Sequence, residues 1–195
     1  VRSVLAILAG VTLALAAGAE NTPLPKDVIK PREEGKIPTA VWLAECEVFF
    51  DDFLSARRQL DELVAAGGYA DDPAALSNAL NRQTVPAAQA VMSFCAAYVP
   101  DTKWGEQLRQ EIIDAMVSSL ASDAHIVEVI AGTAESRVPL AEMLAEQKEM
   151  SDSLIGEAHD RIVNAPKKYR GLPDELKPSR DYYFQNLPSG LRREG

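Results

Sequence analysis

The chain has 195 residues, 47% of them hydrophobic, and carries 20 basic against 29 acidic side chains, a net charge of −9. That length accommodates one ordinary domain with its own core. So acidic a balance argues against nucleic acid as a partner, because such binding rests on Lys and Arg neutralising phosphates.

Near the start, Val4 to Ala17 form an apolar run of 14 residues behind a single charge at Arg2, followed by Ala17, Gly18 and Ala19. This is the layout of a secretory signal peptide over residues 1–19, with cleavage expected after Ala19. A bilayer-spanning helix needs about twenty apolar residues, and no second run of that length follows. The mature chain is therefore expected to be periplasmic or secreted and not membrane-spanning. Residues 20–38 contain four prolines and mixed charge without apolar periodicity, which predicts an extended N-terminal segment.

From Thr39 the pattern becomes helical. Trp42, Cys46, Phe49, Phe53, Ala56, Leu60 and Leu63 recur at steps of four and three, one stripe of a helix that Thr39 caps and Gly67-Gly68 ends. Asp72 before Pro73 is a helix-start signal, since proline in the first helical position loses no useful N–H. The second helix is expected from Pro73 to Val99, with a kink or break near Gln83 to Val85 ahead of Pro86. Beyond it Ala88, Met92, Cys95 and Val99 continue the stripe, and Pro100 stops it.

Asp101 or Thr102 caps a third helix in which Trp104, Leu108, Ile112, Met116 and Leu120 step by four, followed by Val127 and Ile130 and then Gly132 as terminator. Ser136 is the expected cap of a fourth, with Leu140, Leu144, Ser151, Ile155, Ala158 and Ile162 on a stripe that weakens around Gln147 to Ser151. Four segments of matching length joined by short links predict an all-α, up-down-up-down four-helix bundle over residues 39–165. Residues 166–195 form a tail of opposite charge. The tail has 7 basic and 4 acidic groups, against 12 and 25 in residues 20–165.

Two cysteines in an exported chain are expected to pair, because the compartments outside the cytosol are oxidising. Residues level with each other in a helical hairpin are equidistant from its turn, and the midpoint of Cys46 and Cys95 falls inside the Gly67 to Asp72 turn. A Cys46–Cys95 disulfide is therefore predicted.

Little else carries chemistry. The Glu-x-x-His pairs of di-iron bundles and the Cys-x-x-Cys-His of covalent haem are absent, and His125 and His159 stand in no nucleophile motif. Arg57 and Arg58 lie four residues before Asp61 and Glu62, the spacing of surface ion pairs. Glu142, Glu146 and Glu149 form an acidic stripe expected to be a solvated face. No cofactor, metal site or catalytic residue is predicted. The tail is the segment that invites a partner: Lys167, Lys168, Tyr169 and Arg170, then Arg180, Tyr182, Tyr183 and Phe184, interleave positive charge with aromatic rings. Such a segment either docks on a protein or anionic surface or straps across the acidic bundle.

The resulting expectation is a non-enzymatic, exported helical-bundle protein of the bacterial envelope that acts through protein or surface contacts. Two alternatives belong to other classes. One is a small-ligand or haem-binding bundle using Met92 or Met116 with His125 or His159. The other is an exported all-α enzyme of the chorismate-mutase kind, for which Arg57, Arg58, Lys103 and Arg109 would be the dianion-holding cations by analogy of fold class alone.

Overall fold

The computed structural model describes residues 36–67 and 72–177, and these are predominantly helical. The expected signal peptide, all but the last three residues of the extended segment, and Arg180, Tyr182, Tyr183 and Phe184 lie outside the described residues. Among the described residues no helix is long and apolar enough to cross a membrane.

The chain enters through a two-residue strand, β1 (Lys36–Ile37), and then forms α1 (Thr39–Ala65). Helix α2 (Pro73–Ala79) leads through a wide π turn (Leu80–Thr84) into α3 (Val85–Ala97). Strand β2 (Val99–Pro100), α4 (Lys103–Ile130) and α5 (Leu140–Val163) follow. Short 3-10 turns at Lys167–Tyr169 and Asp174–Leu176 complete the described chain. Helix α1 packs on α3, α3 on α4, α4 on α5, and α5 again on α1.

The expected break before Pro86 is instead a change of helical pitch. Pro86 has no N–H, and its ring would press on the carbonyl one turn back. The chain widens by one residue, so the Val85 N–H reaches back to Leu80 O and the helix continues through the proline.

Two of the expected caps are supplied differently. Thr39 is the first residue inside α1, after Pro38, and it is Asp101 that serves this helix end: the Thr39 N–H and Oγ1 both donate to Asp101 Oδ1 at 2.9 Å. Thr102 caps α4 by accepting the Gly105 N–H at 3.2 Å, and its hydroxyl lies 2.8 Å from that of Thr39. Parallel pairing of β1 with β2 completes this knot, which ties the starts of α1 and α4 together. Gly105 is required there, because a Cβ would come within 2.6 Å of Pro100 Cβ. Ser136 does not cap α5; its hydroxyl bonds within the preceding loop, to the N–H and carbonyl of Val138.

Among the described residues the interior holds two apolar clusters. The larger one contains Trp42, Cys46, Phe49, Phe50 and Phe53 of α1, with Val91, Phe94 and Cys95 of α3, Leu108, Ile112 and Met116 of α4, and Ile155, Ala158 and Ile162 of α5. The smaller contains Leu60, Leu76, Leu80, Ile126, Met143 and Leu144.

Candidate functional site

A polar layer separates these two clusters. Arg57 stands between Phe53 and Leu60, Asp123 between Leu120 and Ile126, and Gln147 between Leu144 and Ile155, each pair having one member in either cluster. All three are buried, Arg57 and Asp123 with side-chain exposures of 8% and 0%. Asp123 Oδ1 accepts from Arg57 Nη1 at 3.1 Å and from Gln147 Nε2, while its Oδ2 is buried with no hydrogen-bond partner among the described residues. Burial outweighs the attraction of Arg57 and the two hydrogen bonds, raising the Asp123 carboxyl from 3.8 to about 6. Thr84 of the π turn and Ser119 of α4 add further buried hydroxyls.

Arg57 was expected to face Asp61 on the surface. It turns inward instead, because the stripe of α1 carries it between Phe53 and Leu60, and Asp61 pairs with Lys148 of α5 at 3.3 Å. Hydrogen bonds to Asp152 and then to Asp61 raise the Lys148 ammonium above its ordinary value.

Beside this layer a cleft of about 290 Å³ opens between α1 and α5, lined by Leu54, Arg57, Arg58, Asp61, Asp152, Ile155, Gly156 and His159. His159 is held by parallel stacking on Phe50, with ring centroids 6.2 Å apart. A second groove of about 380 Å³ lies between α4 and α5 and contains His125, Glu146 and Gln147. The two histidines thus stand in different grooves, and Met92 and Met116 are core side chains. Of the four cations considered for a dianion, Arg57 and Arg58 share the first cleft. Lys103 begins α4, and Arg109 Nε donates to the Cys95 carbonyl at 2.5 Å. Glu142, Glu146 and Glu149 are exposed.

The described part of the tail lies against the bundle. Tyr169 stacks on Trp104 with centroids 5.1 Å apart, and Arg170 Nε donates to the Ala165 carbonyl at 2.6 Å. Leu172 and Leu176 pack on the larger cluster. Lys167, Lys168 and Arg170 remain exposed around this anchor, with the Lys168 ammonium 4.8 Å from the Tyr169 ring centre. Hydrogen bonds with Thr102 and then Lys168 lower the Tyr169 phenol below its ordinary value. Cys46 and Cys95 are present as buried thiols.

The polar layer was the feature that periodicity passed over. Its signal is a polar residue falling on the apolar stripe of three helices at once, and in α5 it appears only as the weak middle of a stripe. No family model, no curated protein and no solved structure matches this chain.

Proposed function

We propose that the protein is an exported, non-catalytic helical-bundle protein of the bacterial envelope that acts by contact with a protein partner or the envelope surface. Its contact element is the basic, aromatic tail. The observation that carries this is the anchored cationic patch: Lys167, Lys168 and Arg170 are exposed on a segment fastened by Tyr169 on Trp104. Fixed cations around an aromatic anchor present charge with little ordering cost, which favours an anionic surface or acidic protein. An up-down-up-down arrangement of α1, α2–α3, α4 and α5 fits this reading, supported by the cyclic order in which they pack.

The test is charge reversal, K167E/K168E/R170E, in the full chain. Co-sedimentation with vesicles containing anionic phospholipid, and cross-linking to envelope proteins, are measured beside the unaltered protein. Loss of both with helix content unchanged is the expected result; binding that survives the reversal rejects the tail as contact element.

The cleft between α1 and α5 favours a second reading, a small anionic ligand held by Arg58 and His159, which share its lining with the apolar Leu54 and Ile155. Phosphate or succinate should then raise the thermal midpoint of the protein but not of Arg58→Ala. Absence of any shift rejects it.

A further inference from the structure

Cys46 and Cys95 meet at the centre of the larger cluster, where α1 crosses α3. The ring of Phe94 lies 6.1 Å from that of Trp42 and 5.1 Å from that of Phe49, so it spans the turn of α1 that carries Cys46. The next residue, Cys95, is thereby brought against that turn, and the two thiols are in hydrogen-bond contact. Arg109 fixes the far side of Cys95 by donating to its carbonyl, one of the last four of α3 and so without a helical partner. Both cysteines have 0% exposure. The Cys46 thiol is pushed well above its ordinary range by the hydrogen bond its S–H donates to Cys95 and then by burial.

We propose that Cys46 and Cys95 are a disulfide-forming pair whose oxidation state is set before α1 closes on α3 and is sealed from exchange once the bundle has formed. The inference rests on the geometry of the pair and stands independently of the function proposed for the tail.

The chemistry requires an external disulfide, R–S–S–R, of the glutathione or protein-oxidant class. In the open chain the Cys46 thiolate attacks one of its sulfurs, forming a mixed disulfide and releasing one thiolate. The Cys95 thiolate then attacks the Cys46 sulfur, closing the intramolecular bond and releasing the second thiolate. The two protons lost by the cysteines pass to the released thiolates. Two protein thiols are oxidised, and one external disulfide is reduced to two thiols. In the closed bundle neither step has access to a sulfur, and Cys46 is held as the unreactive thiol.

The full chain, purified with its thiols reduced, is incubated with oxidised glutathione in native buffer. In parallel it is unfolded in urea and refolded through a glutathione redox buffer. Intact mass and peptide mapping read both. The native sample is expected to keep its mass, and the refolded sample to lose two hydrogen atoms as a monomer with residues 46 and 95 linked. Refolded protein that stays dithiol, carries glutathione adducts or forms linked dimers overturns the pairing. Native protein that oxidises as fast as the unfolded chain overturns the sealing. The Cys95→Ala chain gives an independent reading: maleimide should label Cys46 more than about a hundredfold slower in native buffer than in urea. Equal rates would count against the proposal.

Discussion

Replacing Asp123 by Asn isolates the energetics of the polar layer. Asn has nearly the same shape, accepts from Arg57 and Gln147 through Oδ1, and carries no titratable proton. In the folded protein the Asp123 carboxyl is raised from 3.8 to about 6. Between these values the native state holds the proton more tightly than the unfolded chain, so stability from this group is full below pH 3.8 and lost as pH rises through 6. A difference of about two units, at about 1.4 kcal/mol each, comes to about 3 kcal/mol. Urea unfolding of wild type and Asp123→Asn at intervals from pH 4 to pH 7.5 gives a difference curve in which all other carboxylates cancel. Of that total, wild type is expected to lose about 2 kcal/mol relative to the variant between pH 4 and 6 and a few tenths more by pH 7.5, where the two run parallel. A flat difference curve would refute the reasoning. So would wild type gaining on the variant with rising pH, which would mean that the attraction of Arg57 exceeds the cost of burying the charge.

Gly105→Ala should destabilise the fold by about 1–3 kcal/mol, since its Cβ would meet Pro100 at 2.6 Å, whereas Gly156→Ala, with nothing within 4 Å, should gain about 0.5–1 kcal/mol of helix propensity. Both are read from urea midpoints. Asp101→Ala removes the acceptor at the start of α1 and should cost about 1–2 kcal/mol, with amide exchange quickening in the first turn. Trp104→Ala should release Tyr169, and tryptic cleavage after Lys167, Lys168 and Arg170 should accelerate while the rest of the bundle stays resistant. Replacing Arg57, Asp123 and Gln147 together by Met, Leu and Leu should leave urea stability unchanged or higher, yet reduce amide shift dispersion and increase binding of an apolar dye.

Helix positions were largely legible in the sequence because their punctuation is local. Asp72 before Pro73 starts α2, with the Ala75 N–H donating to Asp72 Oδ1 at 3.1 Å, and Thr102 starts α4. What failed was non-local. Asp101 serves a helix that begins 62 residues earlier, and no window around Thr39 contains it. Pro86 predicted an interruption correctly but not its form, because the π turn depends on Leu80 and Thr84 being buried by neighbouring helices. Arg57 looked like a surface residue because Asp61 and Glu62 supply nearby partners, while its actual partner lies 66 residues away.

The polar layer also bears on why a bundle of repeating apolar stripes should settle in one register. Sliding α5 by one turn, about 5.4 Å, would still set apolar side chains against apolar side chains, and the hydrophobic effect alone distinguishes such arrangements poorly. The same slide would move Gln147 off Asp123 and take one of two hydrogen bonds from a buried carboxylate, at about 1–3 kcal/mol. A slide of α1 against α4 costs more, because it parts Arg57 from Asp123 and leaves both charges buried and unpaired, at about 3–5 kcal/mol. The layer therefore contributes little net stability, as the raised Asp123 carboxyl indicates, and acts instead by penalising the alternatives. For that reason the all-apolar replacement is expected to separate two properties that usually change together, keeping resistance to urea while losing a single well-packed state.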